Sequence, residues 1–243
     1  MISLDNVNKS FTGKDSILKD VSFNINKGDS LCVIGQSGVG KSVLLKHING
    51  LMKPDSGEVI VDKLVLNNLS YPELQSMRRK MAMVFQFGGL FDSMNIEENI
   101  LLGLNNVTNL DHKEMRNRVE NSLNLVNLHD INDKMPSEIS GGMKKRVGIA
   151  RAIAMEPEYI LYDEPTTGLD PITTDKINLL IKKVSDKKNV TSVVVTHDMN
   201  TLQTVGSKVI MLHEGNIIFN GTVDELYNTK DKFIQYFIRG KND

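Results

Sequence analysis

The run Gly35-Gln36-Ser37-Gly38-Val39-Gly40-Lys41-Ser42 limits what this chain can fold into more than any other segment. A glycine, four residues, then glycine, lysine and serine is the pattern of a loop that cradles phosphates, provided that a strand precedes it and a helix follows. Both are expected here: Leu31 to Ile34 is a buried apolar run, and helical periodicity extends from Lys41 to about Leu51, ended by the turn formers Lys53-Pro54-Asp55-Ser56-Gly57. Glycines allow successive backbone N–H groups to converge on phosphate oxygens, and the helix N-terminus adds the positive end of its dipole. Lys41 is placed for the β- and γ-phosphates and Ser42 for Mg²⁺. Val43 completes the nucleotide-contacting set of Gly35, Gln36, Ser37, Gly38, Val39, Gly40, Lys41 and Ser42.

A second acidic centre follows the apolar stretch Tyr159-Ile160-Leu161-Tyr162, which delivers Asp163 and Glu164 at the end of a strand. Alone, such a pair reads as a solvated strand end. After a phosphate loop it reads as the hydrolytic centre of a nucleoside triphosphatase, with Asp163 holding Mg²⁺ and Glu164 polarising the attacking water as general base.

The 243 residues suffice for one core, or for a core with an inserted subdomain. Net charge is −1 with basic residues scattered, which argues against a nucleic-acid footprint. The single cysteine, Cys32, lies in an apolar run and is expected to pack. No apolar stretch approaches the ~20 residues of a membrane span, and Met1 to Asp5 lacks signal-peptide character, so membrane contact is expected through a partner.

Strand patterns cover Ile2 to Val7, Ile17 to Ile25, Glu58 to Val61 and Met81 to Phe85, predicting an amino-terminal β layer. From Phe87 to about Pro157 the periodicity is helical, over Ile96 to Gly103, His112 to Val126 and Gly141 to Met155, as in an inserted subdomain. Strands at Tyr159 to Tyr162, Ser192 to Thr196 and Val209 to Leu212 then alternate with helices at Ile172 to Val184 and Met199 to Val205, as in a parallel sheet. The fold class is α/β, with a single domain over 1–243: core 1–86 and 158–221, insertion about 87–157, helical tail about 222–243. Asn220-Gly221 predicts a hairpin turn, and Thr222 to Glu225 a capping box for a final helix.

Ile139-Ser140-Gly141-Gly142-Met143, opening a helix before the acidic strand, resembles the signature motif of ATP-binding-cassette proteins. A serine hydroxyl, two glycine N–H groups and a helix N-terminus form a second anion site. The resemblance implies an ATPase using ATP and Mg²⁺, in a homodimer where Ser140, Gly141 and Gly142 of one subunit close over the phosphate loop of the other. It also implies that Phe11 stacks on adenine, with a core anchor as the alternative for that ring. By the same resemblance Gln86 touches Mg²⁺ and the lytic water, Asp170 of Gly168-Leu169-Asp170 lies at the dimer interface beside the nucleotide, and His197 contacts the γ-phosphate. Met143 departs from the commoner glutamine and offers no amide.

Phe85 to Asn95, Ser140 to Arg146, Asp170-Pro171-Ile172 and Phe233 to Gly240 are similar to Mla/Mce-type, MlaF-like phospholipid-trafficking ATPases. That implies MlaE-like permease subunits, a periplasmic MCE-type lipid-binding protein and a peripheral position on the cytoplasmic face of the bacterial inner membrane. Import of an amino acid or other small solute is the alternative. Leu90, Phe91 and Met94 either line a permease-facing groove or pack the insertion, and the tail helix with Phe233, Tyr236 and Phe237 either crosses to the other subunit or packs on its own core.

Overall fold

The computed structural model describes residues 1–11, 16–108, 110–188 and 190–239. In chain order β1 (Ile2–Ser10), β2 (Ser16–Ile25), β3 (Ser30–Ile34), α1 (Lys41–Ile48), β4 (Ser56–Val61), β5 (Leu64–Val65), α2 (Tyr71–Arg78) and β6 (Met81–Val84) come first. The helices α3 (Ile96–Val107), α4 (His112–Leu125) and α5 (Gly141–Ala154) follow, then β7 (Tyr159–Asp163), α6 (Pro171–Lys188), β8 (Thr191–Val195), α7 (Met199–Val205), β9 (Lys208–His213), β10 (Asn216–Thr222), α8 (Val223–Asn228) and α9 (Lys232–Ile238).

An antiparallel sheet in the order β2-β1-β4-β5 faces a larger sheet in the order β10-β9-β3-β8-β7-β6, parallel except for the edge strand β10. The central strands are buried on both faces, which is why they read as continuous apolar runs. Period-two alternation sorts their side chains. Leu31, Val33, Tyr159 and Leu161 join a core under the antiparallel sheet and α1, while Cys32, Ile34, Ile160 and Tyr162 join one shared with α3, α4, α5 and α6. Each buried aliphatic contributes roughly 1.5–3 kcal/mol, so the sheet is clamped from both sides. Burial pushes the Cys32 thiol up to about 12, as expected for a packed side chain.

Three local differences from the sequence reading have physical causes. The hairpin between β9 and β10 turns at Glu214-Gly215, where both residues have positive φ (48° and 83°), whereas Asn220-Gly221 lies inside β10. The helix α2 lacks a strong apolar stripe but starts on a capping box, Ser70 with Glu73. The helix α3 runs on to Val107, beyond the expected Gly103. The capping box at Thr222 is present, with Glu225 N–H donating to Thr222 Oγ1 at 3.2 Å. In α9, Phe233 and Phe237 pack against the chain's own core, while Tyr236 is half exposed. Gly240 and residues 241–243 of the tail lie outside the described residues.

Candidate functional site

Three adjacent strands of the parallel sheet end at one edge and carry the chemistry there. β3 leads into the glycine loop, β7 into Asp163 and Glu164, and β8 into Thr196 and His197. The carboxyl edge of such a sheet is where ligands bind, because loops diverge there and helix N-termini point inward.

The loop is shaped by its glycines. Gly35 (φ +149°), Gly38 (φ +85°) and Gly40 (φ +103°) occupy backbone conformations that side chains rarely adopt. Gly40 is the N-cap of α1 and supplies no side-chain oxygen, so the first N–H groups of that helix are not capped by their own N-cap residue. At α3, α4 and α8 the N-cap side chain accepts such a bond. An uncapped N-terminus behind an open glycine suits a polyphosphate, and a Cβ on Gly38 would meet nothing within 4 Å.

Lys41 is buried, with its ammonium donating to the carbonyls of Gly35 (2.8 Å) and Gln36 (2.9 Å) and lying 3.8 Å from Glu164 Oε1. Burial pulls this ammonium below its ordinary value, and the charges of Glu164 and Asp163 oppose that pull. Ser42 Oγ donates to Asp163 Oδ1 at 2.8 Å across 121 residues of sequence. These two oxygens, both hard ligands, suit Mg²⁺, which takes one or two protein oxygens and keeps the rest of its shell for water and phosphate. Among the described residues no cluster of three His, Cys, Asp or Glu side chains is placed to hold a metal.

Glu164 stands in the left-handed region (φ 49°), its N–H donating to the carbonyl of Val195. Its Oε2 accepts from Thr167 Oγ1 at 3.0 Å and lies 2.8 Å from His197 Nδ1. A carboxylate only accepts, so the proton of that pair sits on Nδ1. Three contacts therefore hold the carboxylate, and backbone strain sets its direction, as is common where geometry serves chemistry.

Gln86 is half-buried just past β6, whose Val84 pairs with Tyr162, so it emerges at the same sheet edge. Val43 packs partly on the core. Phe11 is 55% exposed at the end of β1, with the Lys9 ammonium 6.0 Å from its ring centroid, so it is not a core anchor. Ser140 caps α5, its Oγ accepting from Met143 N–H at 3.3 Å, and Met143 packs partly on the core. Ser140, Gly141 and Gly142 share a pocket of about 350 Å³ with Gly168, Asp170, Thr173 and Lys176. No phosphate-loop residue lines it. Asp170 caps α6, accepting from Thr173 N–H and Oγ1, and those bonds hold its carboxyl below the usual range. Leu90 packs partly on the core while Phe91 is 52% exposed.

Sequence reasoning passed over Thr167, Lys145 and Arg151. The Arg151 guanidinium donates to the carbonyls of Gly88 and Gly89, just after Gln86. Lys145 had one legible mark. It shares a helical phase with Gly148, Ile149 and Ala152, all buried, so a cation falls on the apolar stripe of α5.

The family model described as ABC transporter matches residues 18–167, more than half of the chain. The chain belongs to the ABC transporter family. It is an ATPase of that family, with ATP and Mg²⁺ as its cofactors. It is similar to the methionine import ATP-binding protein MetN 1 of Bacillus anthracis, 40% identical over 242 residues, covering 96% of this chain and 70% of that one. It is also similar to the methionine import ATP-binding protein MetN of Legionella pneumophila (strain Lens), 39% identical, covering 94% and 66%. Among solved structures, the ATP-binding cassette MJ0796, a dimer in a post-hydrolysis state bound to ADP and Pi, matches with a TM-score of 0.85 at 36% identity over 92% of this chain and 99% of that one. Those structures carry the same α/β cassette. The curated relatives are named for methionine import, so the expected kinship with phospholipid-trafficking ATPases, and with it the MlaE-like and MCE-type partners, lacks their support. No helix among the described residues of this ABC ATPase is long and apolar enough to cross a membrane.

Proposed function

We propose that this protein hydrolyses ATP to drive import of an amino acid or similar small solute through a transmembrane permease, as one subunit of a two-site dimer. The observation that carries the motor is the convergence of Lys41, Ser42, Asp163, Glu164 and His197 at one sheet edge. Glu164 accepts the proton of the water that attacks the γ-phosphorus, and Lys41 and the loop N–H groups stabilise charge on the phosphate oxygens; Ser42 and Asp163 would hold Mg²⁺, which would neutralise phosphate charge. Exposed Ser140 and Gly141 line a pocket that excludes the phosphate loop, which favours the signature serving a partner's nucleotide.

Import is favoured over lipid trafficking by the methionine-import relatives. Exposed Phe87 and Phe91, following Gln86, suit an apolar permease segment. The test is copurification from membranes followed by ATPase assay with candidate solutes. A solute permease and solute-stimulated hydrolysis are expected; recovery of a lipid-type permease with an MCE-type protein would sink the import reading. For the motor, Glu164→Gln is expected to bind ATP, accumulate as a dimer and lose about 100-fold or more in kcat. Near-normal turnover would remove Glu164 from the role of base.

A further inference from the structure

Lys145 is a cation inside the protein with no place in the account above. Only 6% of it is exposed, and its ammonium donates to the main-chain carbonyl of Thr167 at 2.6 Å. The hydroxyl of that same Thr167 donates to Glu164 Oε2 at 3.0 Å, and Glu164 Oε2 meets His197 Nδ1. A short chain of contacts thus runs from α5 to the carboxylate assigned as general base. Burial pulls the Lys145 ammonium down, and the negative charge of Glu164 pushes it back up.

A buried ammonium is expensive to desolvate and is kept where its hydrogen bonds offset that penalty. Here the bond goes to the segment between Glu164 and Asp170, where Thr167 and Leu169 N–H groups close turns on the carbonyls of Glu164 and Thr166. Gly168, in the middle of that segment, has a left-handed φ of +77°, and a Cβ there would meet nothing within 4 Å.

We propose that Lys145 is a positioning residue for hydrolysis, fixing Thr167 so that its hydroxyl orients Glu164. The inference rests on the assignment of Glu164 as base. Because Lys145 stands five residues after Ser140 in the same helix, it ties the placement of a signature segment that grips one nucleotide to the base acting on the other.

The test is steady-state ATP hydrolysis by the full chain, with thermal melts in parallel. Lys145→Met removes the donor at similar volume, and Thr167→Val removes the hydroxyl while leaving the carbonyl. Each is expected to lower kcat about tenfold while KM for ATP stays within about twofold, the pattern of a misplaced base rather than weakened binding. The double variant is expected to lose no more than about twofold beyond the worse single one, because both changes cut one chain of contacts. Lys145→Arg, which keeps a cationic donor, should recover most of kcat. Losses that multiply to about a hundredfold, a wild-type kcat in Lys145→Met, or a deficit confined to KM or to melting temperature would overturn the proposal. If Lys145→Met does not fold, Thr167→Val alone decides: wild-type kcat there overturns it equally. Glu164→Gln, assayed beside them, separates the two ideas. If it retains turnover the base is misassigned, whereas if it is dead and Lys145→Met is normal, only the positioning role is lost.

Discussion

Gly35 and Gly38 sit three residues apart in one loop, yet alanine at each should fail in a different way. A Cβ on Gly35 would lie 2.3 Å from the carbonyl oxygen of Leu212 and 3.0 Å from a Val39 methyl, with φ at +149°. Leu212 belongs to β9, held between β3 and β10, so the carbonyl cannot retreat without disturbing the sheet. Strain of about 1–3 kcal/mol plus the backbone clash should cost Gly35→Ala about 3 kcal/mol or more, a large part of a typical stability of roughly 5–15 kcal/mol. For a chain of this size that corresponds to a melting temperature lower by roughly 6–12 °C. A Cβ on Gly38 meets no protein atom within 4 Å, so only the left-handed φ of +85° is penalised. That is about 1–2 kcal/mol, or a drop of roughly 2–8 °C. The same methyl, however, would sit in the loop expected to wrap phosphate oxygens, and ATP affinity should fall on the order of tenfold or more. Calorimetric unfolding without nucleotide, and ATP titration in a Glu164→Gln background, read the two effects separately. The reasoning fails if Gly35→Ala melts within about 2 °C of the parent, or if Gly38→Ala binds ATP as the parent does.

Lys41→Ala removes the ammonium that bonds the Gly35 and Gln36 carbonyls, so ATP binding by calorimetry should weaken more than about tenfold and little hydrolysis should remain; near-parental affinity would contradict the cradle. Cys32 is fully buried with its thiol pushed up to about 12, so a thiol reagent at neutral pH should label it only after denaturant is added. Labelling of native protein at the free-thiol rate would place Cys32 outside the core. Burial holds the His47 imidazole below its ordinary 6.5, so the folded state binds the proton less readily than the unfolded chain. Its contribution is therefore complete above about pH 6.5 and declines as pH falls below it. Melting temperatures of wild type and His47→Leu between pH 5 and 7.5 should show a smaller pH slope in the variant, and equal slopes would reject this.

Contiguous chemistry was legible in the sequence, because a phosphate loop, a helix cap or a strand is made by hydrogen bonds and side-chain alternation among near neighbours. Gly35 to Ser42, the apolar runs of β3 and β7, and the box from Thr222 to Glu225 all declared themselves in that way. The family, and with it the ATPase activity, followed from the order of such motifs. What the motifs left open was which strands lie side by side. Only the order β9-β3-β8-β7-β6 brings Ser42 to Asp163 and Glu164 to His197, since parallel neighbours are chosen by packing on both sheet faces. The turn at Glu214-Gly215 was likewise decided by register: Asn220-Gly221 carries an equal local preference, but the ladder of β9 and β10 continues through it. Lys145 makes the same point inside the site. A helical phase marks it as buried, yet its partner, the carbonyl of Thr167, carries no side-chain identity that a sequence could display.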